Sequence, residues 1–378
     1  MKKSVFALAA LSAVAATSTF TTLTAHAQSS VTVYGIIDTS LTYTSKVGAN
    51  NSSRFSIDSG DMATSRIGFK GVEDLGGGLS AIFNLENGFN ADTGGLGTAN
   101  TLFDRKSVVG LSGGFGTVTI GRQTDYLEDI GSKYTSVQTF GANGVKGGHF
   151  NNLDRVAGGA RTDNSVRYDT ANLSGFTGSL FYGFGEVAGK TSAGQAFGFA
   201  GNYSNGPFGI GAGYYQSKLA ADALPARAGD TNLKTFTIGT SYQAGPAKLY
   251  AAWSQSKQPA AAAVAATGLV QIVTATKANI FDVGVDYALT GNLHLLGSVI
   301  YDRANINRVT TGATKVSSTQ LNVGVDYYLS KRTDIYALYT NQRAKDAINP
   351  GVVNAAYSSS PADDSSQNVV RLGLRHRF

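Results

Sequence analysis

Hydrophobic and polar residues alternate along most of this chain. Val31, Val33, Gly35, Ile37, Leu41 and Tyr43 share one face of a two-residue repeat, and Thr32, Tyr34, Ile36, Asp38, Ser40 and Thr42 share the other. Residues 65–73 set Ile67 and Phe69 against Arg66, Gly68 and Lys70. Residues 79–88 set Leu79, Ala81, Phe83 and Leu85 against Ser80, Ile82, Asn84 and Glu86. The last twelve residues set Val370, Leu372, Leu374, His376 and Phe378 against Val369, Arg371, Gly373, Arg375 and Arg377. Side chains alternate across a strand, so each stretch is a ribbon with two unlike faces. A terminal strand with an aromatic end, an apolar face and a face of three arginines fits lipid on one side and water on the other. An open sheet edge cannot lie in hydrocarbon, so the first and last strands are expected to pair and close a barrel.

The segments between strands alternate between short and long. Short turns rich in Gly, Asn and Pro fall at 74–78, 112–116, 171–175, 204–207, 244–246, 289–292 and 329–332. These are the residues that tight hairpins require. Long polar segments centre near residues 54, 95, 142, 190, 225, 266, 310 and 355. The stretch 45–64 reads as the first long loop, and the alanine run 260–266 as loop with room for a short helix. Seven short turns and eight long loops connect sixteen strands, with both chain ends on the short-turn side. An even count with that asymmetry is the pattern of an antiparallel transmembrane β-barrel with short periplasmic turns and long external loops. Sixteen strands leave a wide aqueous lumen, whereas eight would be filled by side chains. The near-repeat of 281–289 (FDVGVDYAL) and 321–329 (LNVGVDYYL) is a hairpin rhythm with tyrosine near each turn, as an interfacial aromatic girdle would have it.

Composition narrows the class. Residues 1–27 read as a cleaved secretory signal: Lys2 and Lys3, an apolar stretch over 5–16 too short to span a bilayer, and Ala25-His26-Ala27 as the cleavage site. The barrel domain would occupy 28–378. The chain has no cysteine and 6 prolines beside 47 glycines, 18 tyrosines and 19 phenylalanines, a balance that favours strands and turns. After the signal no run approaches the ~18 apolar residues of a membrane helix. Export then leaves an outer-membrane barrel or a soluble exported β protein.

Five stretches resemble the general diffusion porins of the Gram-negative outer membrane, of the betaproteobacterial type. They are SSVTVYGIIDTSL (29–41), SRIGFKGVEDLGGGLSAIFNLENGF (65–89), KSVVGLSGGFGTVTIGRQ (106–123), NSVRYDTANLSGF (164–176) and VVRLGLRHRF (369–378). The middle of the chain matches mainly by rhythm. The resemblance implies a sixteen-stranded homotrimer in outer-membrane lipid and lipopolysaccharide, with a third external loop folded into the lumen. It also implies a terminal Phe378 read by the outer-membrane assembly machinery, and passive passage of small ions and hydrophilic solutes.

The longest segment between strands, about 123–160, is the third external loop. It carries Asp125, Glu128, Asp129 and Asp154 with Lys133, Lys146 and Arg155, and glycines that would let it fold back. Parity turns Arg66, Lys70 and Lys106 inward, and Arg161, Asp163, Ser165 and Arg167 likewise. It leaves the directions of Arg105 and Arg122 open. A charge on the lipid face costs roughly 2–4 kcal/mol at the bilayer midplane, which supports the inward reading. Arg66, Arg105 or Lys106, and Arg161 match the positions where the resemblance puts eyelet arginines. Rings of Arg and Lys favour anions, so an anion preference is expected.

Other functions leave weaker marks. Gly110-Leu111-Ser112-Gly113-Gly114 fits G-x-S-x-G, but the serine opens a hairpin turn and lacks the strand-to-helix setting of a nucleophile elbow. His149, His294 and His376 lie in unrelated places, so neither a catalytic metal nor a cofactor is expected. Bases are spaced along strands with no cluster suited to nucleic acid. A barrel enzyme, a substrate-specific porin and a soluble β protein remain the alternatives to a general porin.

Overall fold

The computed structural model describes residues 30–47, 51–145, 147–149, 152–158, 160–218, 232–264, 270–308, 312–345 and 366–378. The expected leader, Lys146 and the loop centres near 225, 266, 310 and 355 lie outside them. The strands are β1 (Ser30–Val47), β2 (Ser52–Ser59), β3 (Arg66–Gly76), β4 (Leu79–Gly88), β5 (Lys106–Gly113), β6 (Gly116–Thr124), β7 (Arg161–Asp169), β8 (Phe176–Gly183) and β9 (Ala196–Asn205). They continue as β10 (Phe208–Lys218), β11 (Asn232–Ala244), β12 (Ala247–Val264), β13 (Val270–Ala288), β14 (Leu293–Arg308), β15 (Gly312–Tyr328), β16 (Thr333–Lys345) and β17 (Ser366–Arg377). Two helices, α1 (Tyr126–Tyr134) and α2 (Val137–Val145), lie between β6 and β7.

The sheet closes. β1 pairs antiparallel with β17, from Ile36 opposite Arg377 to Thr44 opposite Val369. The terminal Phe378 completes the seam: its carbonyl accepts from the Gly35 N–H at 3.0 Å, and its N–H donates to the Gly35 carbonyl at 3.1 Å. On its other side β1 pairs with β3 through its first half and with β2 through its second. β2 and β3 are thus two pieces of one stave, and the barrel has sixteen. All seven short turns fall where glycine and its neighbours place them; Gly206 (φ 53°) and Gly245 (φ 57°) take the left-handed backbone that the turns require.

Three expectations change. The polar stretch 45–64 is not all loop, since β1 runs on to Val47 and β2 returns as its hairpin partner. Its alternating Phe55 and Ile57 are the residues that face outward. The alanine run is strand as far as Val264, because β13 offers a partner all along it. In the same way β14 and β15 stay paired up to Arg308 and Gly312, so the connection near 310 is short.

Alternation sorts the two faces as read. Leu41, Leu372 and Leu374 are exposed outward, while Arg371 and Arg375 on the opposite parity are buried. Inside, residues 60–65 leave the wall between β2 and β3. The Asp38 carboxylate holds this inward bulge, accepting from the N–H groups of Met62 (2.9 Å) and Ala63 (2.6 Å) and from the Tyr336 hydroxyl (2.6 Å). Asp61 pairs with Arg371 at 3.1 Å.

The loop between β6 and β7 crosses the interior. Helix α1 is capped by Asp125, whose Oδ1 accepts from Leu127 N–H at 2.8 Å. Its Tyr134 lies over Gly209, Gly211 and Gly239, and its Leu127 and Ile130 lie over Gly213. These glycines are inner-face positions of β10 and β11, and any side chain there would meet the helix. Helix α2 breaks at Gly141 (φ 70°, ψ 168°), where the loop backbone touches Met62 of the bulge. Phe140 and Val145 join Met62, Ile280, Ile300 and Leu338 in one buried cluster.

Polar tethers finish the seat. Asp282 of β13 accepts from the Ser136 N–H at 2.7 Å and from the Ser136 hydroxyl, and lies 3.4 Å from His149 Nε2. His149 Nδ1 lies 2.7 Å from Asp154 Oδ2. Burial disfavours charge on this imidazole, but the carboxylates of Asp154 and Asp282 more than offset it and raise its pKa to about 10.

Removing Asp282 takes one of two carboxylates from the buried His149 imidazolium and leaves the buried Ser136 N–H without its acceptor, a loss of about 3 kcal/mol of loop anchoring. Asp282→Ala is expected to leave the barrel folded, as read from a band that shifts on heating in a detergent gel, while the loop becomes open to limited proteolysis. The His149 tether is at full strength below its ordinary pKa of 6.5 and is lost as pH rises through about 10. Proteolysis of the loop should therefore accelerate on alkalinisation across that window in the wild type. In His149→Asn it should show no such step.

Candidate pore constriction

Where α1 passes the wall of β3–β7, three guanidinium groups gather. Arg66 starts β3, Arg105 precedes β5 and Arg161 starts β7, so each sits at the loop-side end of its strand. Glu86, on the inner parity of the intervening β4, lies 2.6 Å from Arg105 Nε and 3.8 Å from Arg66 Nε. Arg161 Nε donates to the Arg105 carbonyl at 3.1 Å, which fixes its head beside the other two. From the loop, Glu128 comes within 3.9 Å of Arg161. Burial outweighs the pull of Arg161 and Arg105 and holds the Glu128 carboxyl above the usual glutamate range. Three arginines thus face two carboxylates, one of which is reluctant to ionise.

Tyr34 braces this group from below. Its hydroxyl donates toward Asn84 Oδ1 (2.9 Å) and Glu86 Oε2 (3.0 Å), and its ring lies over Gly68. Lys70, exposed within the lumen, stands 5.4 Å above the same ring. Lys106 shares the inner face of β5 with buried Val108.

The other expected lining residues have separate places. Arg167 Nη2 bonds Asp129 at 2.6 Å, and its Nε bonds its neighbour Asp169 at 2.9 Å. Asp125 is buried: besides capping α1 it pairs at 2.5 Å with Arg155, whose guanidinium stacks 3.9 Å over Tyr215. Its job is to hold the loop in shape.

Arg122 is not with the cluster. It shares the outer parity of Ile120 and stands opposite Ser107, and its Nη1 pairs with Asp163 at 2.5 Å. The luminal expectation for Asp163 fails with it. The register of β6 against β7 slips between Gly121 and Gln123, and Asn164 takes a left-handed backbone (φ 51°), so parity reverses over that step. Phe378 lies at the barrel seam, far in sequence from the cluster, with its ring over Gly35.

Sequence reasoning did not single out Glu86, although its place opposite Leu85 in the alternation put it inward. It also missed the Asp38–Asp61–Arg371 and Asp326–Asp334–Arg375 groups, where Arg375 lies 2.9 Å from Asp334 and 3.3 Å from Asp326. Among the described residues no group of three or more His, Asp or Glu side chains is arranged to hold a metal ion.

The geometry has known counterparts. A family model described as Gram-negative porin matches residues 7–347. The outer membrane porin protein 32 of Delftia acidovorans is 33% identical over the whole of both chains, and an outer membrane porin protein of Bordetella pertussis is 31% identical, again over the whole of both. The solved anion-selective porin of Comamonas acidovorans superposes with a TM-score of 0.71 at 29% identity, covering 93% of this chain and 100% of that one. OmpT of Vibrio cholerae, solved in a trimer form, shares the fold at TM-score 0.64 and 18% identity, over 93% of this chain and 99% of that one. A closed sixteen-stave barrel, an arginine-lined interior and relatives matched from end to end converge: the chain belongs to the Gram-negative porin family and is a protein of the outer membrane.

Proposed function

We propose that the protein is a trimeric general porin whose water-filled channel passes small hydrophilic solutes and ions with a preference for anions. The observation that carries this reading is the group of Arg66, Arg105 and Arg161, with Glu86 and Glu128 the carboxylates within 4 Å of their guanidinium groups among the described residues. Fixed cations beside a water path lower the energy of passing anions and raise that of cations. The loop between β6 and β7 is the constriction: it narrows the lumen from the far wall, and its remaining acids are held in the pairs Asp125–Arg155, Asp129–Arg167 and Asp154–His149. The anion-selective porin of Comamonas acidovorans supports the same preference, and the trimer form of OmpT supports the assembly. Lipopolysaccharide surrounds the trimer, and the terminal strand with Phe378 is the segment handed to the assembly machinery. No step of covalent chemistry is required; the residues act through fixed charge alone.

Reversal potential under a salt gradient in a planar bilayer tests the assignment. One unit of charge ~4 Å from a passing ion is worth about 1 kcal/mol in water, or about fivefold for each ion with opposite sign for anion and cation, which is roughly 25-fold in their ratio. Arg105→Gln is expected to lower the anion-to-cation ratio by about that factor, and Glu86→Gln to raise it similarly. A cation-directed potential in the wild type would overturn the preference while leaving the channel.

The raised Glu128 pKa gives a second test. On acidification Glu128 takes up its proton before ordinary glutamates, removing a negative charge from the constriction. Anion preference should therefore rise as pH falls through the mildly acidic range. Glu128→Gln should start higher and show a flatter profile.

A further inference from the structure

Cations inside this barrel are held in two different ways. The constriction arginines are held by carboxylates, and a carboxylate cancels part of the charge it positions. Arg66, Arg105 and Arg161 stand against Glu86 and Glu128, which leaves a surplus of one positive charge. Two lysines are held by aromatic faces instead. Lys70 Nζ lies 5.4 Å from the centroid of the Tyr34 ring, and Lys133 Nζ lies 5.9 Å from that of Tyr126. A ring face attracts a cation through its quadrupole and carries no net charge, so it fixes the ammonium and leaves its charge whole. Both lysines are exposed, and neither has a carboxylate within 4 Å among the described residues.

Both lie on the short-turn side of the constriction. Lys70 is four residues beyond Arg66 along β3. At ~3.3 Å per residue and a strand tilt of ~40°, that is about 10 Å lower. Lys133 is carried down by α1. The helix starts beside the loop-side end of β6 and descends the inner face of β10: Leu127 and Ile130 lie over Gly213, and Tyr134 lies over Gly211 and Gly209. Gly209 is the second residue of β10 after its short turn. Tyr134 is buried against that wall, and Lys133 beside it is exposed on the lumen side of the helix. β3 belongs to the second stave of the barrel and β10 and β11 are the ninth and tenth, so the two lysines come from opposite sides.

The loop side would be negative without Lys133. Asp129 of α1 and Asp169 of β7 both bond Arg167, at 2.6 and 2.9 Å, and that group alone carries one negative charge too many. Arg167 and Lys133 share the ring of Tyr126, at 5.4 and 5.9 Å. Lys133 brings the group to neutrality, and Lys70 across the lumen adds a surplus of one positive charge, as much as the constriction above. The ionisable groups of β13–β17 nearer the short turns are engaged with one another, Asp286 with His294 and both Asp326 and Asp334 with Arg375.

We propose that Lys70 and Lys133 form a second anion stage below the constriction, with Tyr34 and Tyr126 as the positioning residues that keep its charge uncancelled. Its ligands are small hydrated anions, since two separated ammonium groups offer charge and no shaped pocket. An anion leaving the arginines toward the short turns meets attraction from the wall and no net repulsion from the loop. The inference rests on the anion-preferring porin reading and deepens it: the preference is set at two heights, by arginines at one and by lysines at the other.

The test uses the mature protein in a planar bilayer, with reversal potential read under a gradient of dilute potassium chloride. An ion passing ~8 Å from an ammonium group in water feels half the energy it would feel at ~4 Å, so Lys70→Gln and Lys133→Gln should each lower the anion-to-cation ratio about fivefold. The chain has no cysteine, so Lys70→Cys and Lys133→Cys each offer a single thiol. Coupling 2-aminoethyl methanethiosulfonate returns a positive charge and should restore the ratio. Coupling the 2-sulfonatoethyl reagent adds a negative charge and should lower it further. Tyr34→Phe and Tyr34→Leu both lose the hydroxyl and differ in the ring, so the Leu variant should fall about twofold below the Phe variant. A wild type that prefers anions, with both Gln variants keeping its ratio, would overturn the second stage. A fall that the cationic reagent does not restore would mark a structural role for the lysines and overturn it too. Equal ratios in the two Tyr34 variants would overturn the ring-held placement. A cation-directed potential in the wild type would instead sink the preference itself, and the lysine stage with it.

Discussion

A strand inside hydrocarbon has nowhere to send its backbone N–H and C=O groups except another strand, and a sheet there can have no edge. That single constraint organises this molecule. It makes β17 pair with β1 across more than three hundred residues of chain, and it puts the last carbonyl, that of Phe378, in a hydrogen bond with Gly35. It also explains why β2 and β3 share one stave. The interruption at 60–65 is tolerable because those residues turn inward, where Asp38 and water-facing groups satisfy their backbone.

Once the wall is closed, its inner face is free to hold charge that no lipid-facing position could carry. The third loop makes use of this unevenly. One side of the lumen is a glycine floor under Tyr134, Leu127 and Ile130, so the loop packs there as a second layer. The opposite side keeps Arg66, Arg105 and Arg161 in the remaining space. The loop acids Asp125 and Asp129 are spent on Arg155 and Arg167, which hold the loop rather than screen the wall. What is left is an interior with its cations on one side and its packing on the other.

Much of this was legible in the alternation. The seven turns, the closing pair of strands, the long third loop and the inward Arg66 and Lys70 follow from a repeat of two and from turn chemistry. The failures have physical causes. Residues 45–64 looked like loop because polar residues dominate them, yet Phe55 and Ile57 keep the outward alternation and β1 supplied a partner to Ser52–Ser59. The alanine run became strand for the same reason beside β13. Asp163 was read inward because parity was carried across Asn164, whose left-handed backbone breaks the count. Glu86 was on the correct face, but nothing in its neighbours announced that two arginines from other strands would converge on it.

The sequence by itself determined which residues face water and which face lipid, how many staves there are and where the chain turns. These are local properties, set by a period of two and by the few residues that permit tight hairpins. Only the tertiary structure decided which charges meet. Glu86 with Arg66 and Arg105, Glu128 with Arg161, and Asp282 with Ser136 and His149 are matters of strand register and of the path the loop takes across the lumen. Register is the cumulative result of every turn and bulge around the barrel, and no spacing along the chain records it.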